Sequence, residues 1–186
     1  MDERIMGIEH IWILLWIAVF VIGFKVNCTE MLGNKGINVI RGEYYRFFTG
    51  LLVHAGWFHL MINVVSIYFV VGFLKEQVDT IKLLVFSAVV ATITNIIFSL
   101  MYKESTSIGG SPVVFAMLGL LIVLQIMDKN VERFVLDSLQ TKWILGYAIL
   151  GNIPIFSKNI STFVIHFIAF VIAAILGCIV VKVRII

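Results

Sequence analysis

Two polar residues in a strongly apolar sequence have the side-chain types that acyl transfer needs. Ser111 lies in "SIGGSPVVFAMLGL", directly before an apolar run, and His166 lies inside a later one, "STFVIHFIAFVIAAILG". A serine hydroxyl is a weak nucleophile until a base takes its proton, and a histidine can act as that base. Ser111 and His166 are therefore candidates for a nucleophile and its general base.

A second pair of polar residues has a spacing suited to stabilising the oxyanion of a tetrahedral intermediate. His59 and Asn63 are four positions apart in "FHLMINVVSIYFVVGFL", so they share one face of a helix. Their side chains can donate hydrogen bonds. The backbone N–H groups at a helix N-terminus can do the same, and the helix dipole helps them. All of these groups are candidate oxyanion donors.

The residues around Ser111 predict how its helix begins. Ser111 is predicted to be the N-cap, with Pro112 in the first helical position, where its missing N–H group costs little. Gly109 and Gly110 allow the backbone to bend and a substrate carbonyl to approach closely. A nucleophile at the N-cap would also gain most from the helix dipole.

Each candidate also has a purely structural interpretation. A Ser-Pro pair opens many helices without any catalytic role. A lone His166 can be a hydrogen-bonded packing residue, and His59 with Asn63 can join two helices. Thr92 and Asn95 in the third apolar segment fit this last interpretation better. The functional hypothesis therefore depends on the combination of residues and not on any one of them.

The composition places the chain in a membrane. Of its 186 residues, 61% are hydrophobic and only 13% are charged, and the mean hydropathy is +1.06. A soluble fold could not bury that much apolar surface. The net charge of +3 is too small to indicate nucleic acid as a partner. We therefore predict an integral membrane protein that is surrounded by lipid and binds no nucleic acid.

The cysteines and the absence of cofactor motifs narrow the classes further. Cys28 and Cys178 do not make a disulfide framework, and both are expected to be free. The sequence contains no metal-binding or nucleotide-binding motif, so we expect no metal and no other cofactor. It leaves the oligomeric state open.

Apolar segments predict six membrane-spanning helices, each needing about 20 residues. The fifth segment is short and is interrupted by Gly151 and Pro154. In any six-span topology, the starts of the second, fourth and sixth helices lie on one side of the membrane. The polar candidates on those three helices can therefore meet in one cavity. The segments are 7–24, 58–74, 81–102, 109–127, 143–156 and 159–181, with a charged connector at 128–142.

Lysine and arginine in the short loops predict the orientation. With the N-terminus in the cytoplasm, eight such residues lie on the cytoplasmic side and two on the other. The eight are Arg4, Lys75, Lys82, Lys129, Arg133, Lys142, Lys182 and Arg184, and the two are Lys103 and Lys158. Both termini are therefore predicted to be cytoplasmic, and the small size suggests the plasma membrane of a prokaryote. The long segment 25–57 then lies outside, with its tyrosines and Trp57 at the membrane interface.

In this order and spacing, the motifs resemble the rhomboid family of intramembrane serine proteases, from about Arg41 to Gly177. "EYYRFFTGLLVHAGWFHLMINVVSIYFVVG" is similar to the family's signature of the first loop and second helix. That signature has an aromatic-Arg pair, which includes Arg46, and then a loop histidine, His54, which can pack or bond the backbone. A His-x-x-x-Asn motif follows it. "GGSP" and "IHFIAFVIAAILG" resemble the family's serine and histidine motifs.

The resemblance implies a role for each candidate residue. Ser111 would be the nucleophile and His166 the general base. His59, Asn63 and the backbone N–H of Ser111 would stabilise the oxyanion. Phe115, one turn after Ser111, is similar to an aromatic residue that packs on the catalytic histidine. Phe115, Gly109 and Gly110 are expected to contact the substrate.

The sequence departs from the family pattern at four positions. Pro112 stands where a glycine often follows the serine, and Tyr45 stands where a tryptophan often precedes the loop arginine. Ala169 and Ala173 stand where glycines often let the sixth helix pack closely on the fourth. Alanine still permits a small-xxx-small contact, but the nucleophile and base could then lie slightly further apart.

The resemblance also implies the fold and the activity. We expect one domain over 1–186, an all-α bundle of six membrane-spanning helices with a long interfacial first loop. Its substrates would be single-span membrane proteins, and the interrupted fifth helix would be a lateral gate. A catalytically inactive relative that binds membrane clients is the first alternative. A transporter with a histidine proton relay is the second, but it would not need the "GGSP" turn, and we find no inverted repeat.

Overall fold

The computed structural model describes residues 8–152, 160–183, 185 and 186. Four residues on which predictions rest lie outside the described residues: Arg4, Lys158 and Arg184 for the orientation, and Pro154 for the end of the fifth segment. The described parts form helices and contain no β-strand. The helices are α1 (Ile8–Ile22), α2 (Cys28–Leu32), α3 (Ile37–Ile40), α4 (Arg46–Thr49), α5 (Trp57–Leu74), α6 (Thr80–Met101), α7 (Ser111–Met127), α8 (Leu139–Leu150) and α9 (Ser161–Lys182), and a 3-10 turn at Gly50–Leu52 follows α4.

Six of these helices correspond to the six predicted segments. By length and composition, α5, α6 and α9 can each cross a membrane, and α7 and most of α1 are shorter apolar helices. The prediction of an all-helical membrane protein is therefore confirmed, while the crossing of the bilayer by all six helices stays a prediction. Cys28 and Cys178 are both free, as expected.

The fifth long helix, α8, begins earlier than predicted. Its first residue is Leu139, inside the segment that was predicted to be a connector. Ser138 is the N-cap, and its Oγ accepts a hydrogen bond from the backbone N–H of Thr141 at 3.1 Å. This bond satisfies one of the N–H groups that a helix start leaves without a partner. The hydropathy pattern misses this start because Gln140 and Lys142 are polar.

The central helix of the bundle is α7. Every residue from Pro112 to Leu121 is buried, and the helix packs against α9, α6 and α5. A helix that is apolar on all sides is stable only when it is covered on all sides. The surrounding helices therefore hold α7 in place, and with it Ser111 at its first turn.

The packing of α9 on α7 depends on small residues from both helices. A Cβ added at Gly119 of α7 would lie 2.6 Å from the carbonyl oxygen of Phe170 and 2.8 Å from the Cβ of Ala173. Ala169 and Ala173 are fully buried in this contact. Gly119 therefore provides the space that Ala173 and the Phe170 backbone need, and the helices can pack closely despite the departure from the family pattern.

The first loop folds around the side chain of Arg46. Its Nη1 donates hydrogen bonds to the carbonyl oxygens of Glu30 at 2.8 Å and Gly33 at 3.1 Å. Its Nε donates to Oε2 of Glu43 at 2.6 Å. The guanidinium is buried, so these bonds hold α2 and α4 together with little competition from water.

Thr92 and Asn95 were predicted to hydrogen-bond across helices, and only Asn95 does so. The Thr92 hydroxyl donates to the carbonyl of Ala88 in its own helix. Asn95 donates to the carbonyl of Phe47 at 2.8 Å and accepts from the hydroxyl of Ser107 at 3.1 Å. The reason is that the first loop folds back onto α6, so Asn95 joins that loop and the segment before α7 to the bundle.

Candidate active site

The first residue of α7 and the second turn of α9 meet inside the bundle. Ser111 Oγ lies 2.8 Å from Nε2 of His166, which is a hydrogen-bond distance. His166 is 5% exposed, whereas Ser111 is partly exposed. The hydroxyl is therefore accessible from a cavity while the imidazole beside it is shielded.

Ser111 was predicted to be the N-cap of α7, but it is the first residue of the helix. Gly110 is the N-cap, and the helix start has no side-chain capping bond. The physical reason is that the Ser111 hydroxyl is directed to His166 instead of to the N–H groups of its own helix. As the first helical residue, Ser111 has a backbone N–H with no acceptor inside the helix. Pro112 has no N–H, so of the first two residues of α7 only Ser111 has a backbone N–H to donate.

Phe115 fixes the plane of the His166 ring. The two rings are stacked, with centroids 4.3 Å apart and an interplanar angle of 12°. Phe115 also contacts the ring of Tyr147, with the ring centroids 5.2 Å apart. Rotation of the imidazole out of this plane would break the stacking with Phe115, so the packing holds the ring in the plane in which Nε2 contacts Ser111.

His59 and Asn63 line the same cavity as Ser111 and His166, and this cavity has a volume of about 450 Å³. Asn63 Nδ2 donates to the carbonyl of His59 at 3.0 Å, and Asn63 Oδ1 accepts from Oη of Tyr147 at 3.0 Å. An amide NH₂ carries two hydrogens. One bonds the His59 carbonyl, and the other can be donated into the cavity.

The two glycines before Ser111 allow aromatic rings to pack directly on the backbone. Gly109 has φ of +131°, a conformation that favours glycine, and an added Cβ would lie 2.5 Å from Cε1 of His59. At Gly110 an added Cβ would overlap the indole ring of Trp16, which comes from α1. The site residue His59 is therefore positioned against a backbone that has no side chain at this point.

His54 holds the backbone that leads into α7. Its Nε2 accepts a hydrogen bond from the N–H of Gly110 at 3.3 Å, and its Nδ1 lies 3.3 Å from the carbonyl oxygen of Leu52. Burial, together with the neighbouring His59, lowers the pKa of His54 to about 3, so the ring is neutral at pH 7. A neutral imidazole has one donor and one acceptor. The proton is therefore on Nδ1, which donates to Leu52.

The chain matches the family model of the Rhomboid domain over residues 41–183. The chain belongs to the rhomboid family. The matched region contains α4 to α9, and therefore all of the candidate site residues. Comparison with curated proteins gives no match. This rhomboid is thus an integral membrane protein. Its candidate site lies inside the matched domain.

Two polar residues that contact the site of this rhomboid, Tyr147 and Asn152, were not predicted from the sequence. Tyr147 lies on α8 and donates to Asn63. Asn152 lies two residues beyond α8, and its Oδ1 is 3.0 Å from Nδ1 of His166. Both belong to the short fifth segment, and their polar character within it was the available signal.

Among the described residues, the side chains that line the cavity of this rhomboid include none with a permanent charge. The described residues that line it include hydroxyl, imidazole, phenol and amide groups, and no Asp, Glu, Lys or Arg. Within the described part of the chain, no three His, Cys, Asp or Glu side chains are grouped so as to hold a metal ion. The arrangement can therefore transfer a proton between a serine and a histidine beside several hydrogen-bond donors.

Proposed function

We propose that this rhomboid is an intramembrane serine endopeptidase that cleaves proteins with a single membrane-spanning helix. The observation that carries the proposal is the 2.8 Å contact between Ser111 Oγ and His166 Nε2. This contact lies in a cavity that also contains amide and imidazole donors. A family member that only bound its clients would have no need to keep a nucleophile and a base at hydrogen-bond distance.

Cleavage proceeds through an ester on Ser111. Ser111 Oγ forms a bond to the substrate carbonyl carbon while its proton passes to His166 Nε2. His166 gives that proton to the leaving amine as the C–N bond breaks. A water molecule then attacks the ester, and its proton passes to His166. Return of this proton to Ser111 Oγ releases the carboxylic acid and restores the enzyme.

The oxyanion of the tetrahedral intermediate is stabilised by donors from two helices. They are the backbone N–H of Ser111 on α7 and the side chains of His59 and Asn63 on α5. Removal of one such preorganised donor typically costs a factor of about 10²–10³ in kcat. The missing side chains at Gly109 and Gly110, which were expected to leave room for a substrate carbonyl, instead leave room for the rings of His59 and Trp16. Phe115 borders the same site through its stacking on His166.

The substrate helix must unwind before it can be cleaved. A carbonyl inside a helix is already hydrogen-bonded, and its backbone is not accessible to a nucleophile. Substrates with glycine or another helix breaker near the outer end of their membrane span are therefore expected to be cleaved faster. We expect both termini of the enzyme to lie in the cytoplasm because of the Lys and Arg bias of the short loops. The outer end of a substrate helix is then its end on the opposite side of the membrane.

The proposed lateral gate is α8, where it faces α5. A groove of about 410 Å³ between these helices shares lining residues, among them Phe58 and Tyr147, with the cavity that contains Ser111. Side-chain hydrogen bonds cross the interface from three positions of α8 and would have to be replaced when a substrate enters. They run from Gln140 to the carbonyl of Phe69 at 2.8 Å, from Trp143 to Ser66 at 3.0 Å and from Tyr147 to Asn63 at 3.0 Å.

A crosslink across this interface tests the gate. Ser66→Cys and Trp143→Cys, in a chain without its two native cysteines, are joined by a short bis-maleimide. Crosslinking is expected to abolish cleavage of a membrane-embedded substrate, while Ser111 still reacts with a small phosphonate. Undiminished cleavage by the crosslinked enzyme would mean that substrates enter elsewhere.

The activity is tested with purified protein in lipid vesicles and a substrate that has one membrane-spanning helix. Ser111→Ala and His166→Ala are expected to abolish cleavage and labelling by a serine-reactive fluorophosphonate. Ser161→Ala is the matched control, because Ser161 lines the same cavity outside the proposed dyad. If the wild type neither cleaves several such substrates nor reacts with the phosphonate, the protein is a non-catalytic rhomboid that binds membrane clients.

A further inference from the structure

The second nitrogen of the His166 ring also has a polar partner. Asn152 Oδ1 lies 3.0 Å from His166 Nδ1, on the side of the ring opposite the contact with Ser111. Asn152 comes from the chain just beyond the end of α8, not from α7 or α9. Three side chains from three separate parts of the fold therefore form one line, Ser111–His166–Asn152.

The orientation of the Asn152 amide follows from its other contact. Asn152 Nδ2 lies 2.6 Å from the carbonyl oxygen of Ala148, one turn back on α8. A carbonyl only accepts, so this atom of Asn152 is the NH₂ group, and the oxygen faces His166. The oxygen in turn requires a proton on Nδ1 of His166. A neutral imidazole with its proton on Nδ1 has an unprotonated Nε2, which can accept the proton of Ser111.

We propose that Asn152 is a positioning residue that holds His166 in the tautomer and orientation a general base needs. The proposal deepens the proposed function and rests on it for its catalytic meaning. Because Asn152 follows α8, the proposed gate, His166 is held in this way only while the end of α8 is docked against α9. The docking of the gate and the orientation of the base are thus linked by the hydrogen bonds that His166 makes with this end of the chain, to the Asn152 side chain and to the Gly151 backbone.

An amide suits this position better than a carboxylate. His166 is buried, and an ionised carboxylate beside it would have to be taken out of water. The titratable groups that line the same cavity are His59 from α5 and Tyr147 from α8, and among the described residues no carboxylate, lysine or arginine lines it. Asn152 provides an acceptor for Nδ1–H without adding a charge to these surroundings.

Two substitutions separate the acceptor from the rest of the side chain. Asn152→Leu keeps a similar size but removes the oxygen that faces His166. Asn152→Asp keeps an oxygen there and adds a negative charge. Ile149→Ala is the matched control for fraying of the helix end, because Ile149 is exposed on the last turn of α8 and lines neither the cavity nor the groove of the proposed gate. All three are compared with the wild type in lipid vesicles for kcat, KM and the pH dependence of kcat.

Asn152→Leu is expected to lower kcat about 10- to 100-fold and to leave KM within about twofold. This loss is part of the rate enhancement of about 10²–10⁴ that a positioned general base supplies. Asn152→Asp is expected to keep kcat within a few-fold at its optimum. Its acid limb should move up by about one pH unit, because a nearby negative charge favours the protonated imidazole. Ile149→Ala is expected to match the wild type. A wild-type kcat and pH profile for Asn152→Leu, or equal losses in Asn152→Leu and Ile149→Ala, would overturn the proposal.

A measurement without substrate separates this proposal from the proposed function. Nitrogen-15 NMR of labelled histidine, with His166 assigned by comparison with His166→Ala, reports which ring nitrogen carries the proton. The wild type should have the proton on Nδ1, and Asn152→Leu should shift the population toward Nε2. If the enzyme is inactive but shows this shift, the contact is correct and the protease assignment is wrong. If the tautomer is the same in both proteins, the role of Asn152 is refuted whatever the activity.

Discussion

Tyr147 Oη donates a hydrogen bond to Asn63 Oδ1 at 3.0 Å, and this bond joins α8 to α5 inside the bundle. Asn63 is 1% exposed and Tyr147 is 9% exposed, so water hardly competes for either group. With Oδ1 held by Tyr147, the NH₂ group of Asn63 is left for the His59 carbonyl and the cavity. The proposed gate and a proposed oxyanion donor are therefore connected through one phenol.

Removal of this phenol hydroxyl should weaken catalysis more than substrate binding. Tyr147→Phe is expected to lower kcat about 5- to 30-fold, or about 1–2 kcal/mol, because the Asn63 oxygen loses its donor and the amide is free to rotate. KM should stay within about twofold. The measurement is steady-state cleavage in vesicles, with Tyr68→Phe as the control because Tyr68 is exposed on the same helix as Asn63. Equal kcat values for the two variants would contradict the assigned role of Tyr147.

A methyl group at Gly109 should disable the site without unfolding the protein. Gly109→Ala forces alanine into φ of +131°, at a cost of about 1–3 kcal/mol, and pushes its Cβ against the His59 ring. The rate of phosphonate labelling at Ser111 is expected to fall at least 100-fold, the scale of a lost oxyanion donor. Gly56→Ala is the control, since a Cβ there meets nothing within 4 Å and the backbone is extended. Normal labelling of Gly109→Ala would show that His59 need not occupy its observed position.

The close contact of α7 with α9 should be sensitive to one added methyl group. Gly119→Ala places a Cβ against Phe170 and Ala173 and is expected to lower the free energy of unfolding by about 1–3 kcal/mol. The labelling rate of Ser111 should fall as well, because separation of the helices lengthens its contact with His166. Combination with Ala173→Gly should restore part of both losses. Thermal unfolding in detergent and phosphonate labelling measure the two effects, and losses that simply add would refute direct contact as the cause.

The buried neutral state of His54 should make the fold sensitive to acid. In the unfolded chain His54 has its ordinary pKa of 6.5, whereas burial lowers the pKa in the folded protein to about 3. Between these values the unfolded state binds a proton that the folded state does not. The free energy of unfolding should therefore fall as the pH is lowered from about 7 toward 3, by up to about 1.4 kcal/mol per pH unit, and be independent of His54 above pH 7.

This dependence can be measured as the unfolding temperature at a series of pH values. His54→Gln keeps an acceptor for the Gly110 N–H but does not titrate, so its unfolding temperature should fall less steeply with acid than that of the wild type. Identical acid dependence in the wild type and His54→Gln would assign the effect to other groups.

Much of the fold was predictable from the sequence because a bilayer admits few arrangements. A backbone in lipid must satisfy its own hydrogen bonds, so long apolar segments become helices. The predicted alternation of six spans put the starts of the second, fourth and sixth helices on one side of the membrane, and His59, Ser111 and His166 do line one cavity. Polar residues in lipid are costly, so they were conspicuous as candidates. The order of these motifs was sufficient to indicate the family.

Other features were decided only by tertiary contacts. The distance between Ser111 and His166 depends on Gly119, which lies eight residues along α7 and opposite the alanines of α9. Gly110 is the N-cap instead of Ser111 because the serine hydroxyl bonds His166 of another helix. Local capping preferences do not anticipate such a bond.

The roles of Tyr147 and Asn152 likewise depend on where the end of α8 packs. The sequence by itself determined which segments form apolar helices and which polar residues share a helix face, because those follow from hydropathy and helix periodicity. Only the tertiary structure decided which donor meets which acceptor, because a hydrogen bond requires atoms about 3 Å apart and residues distant in sequence reach that distance through packing.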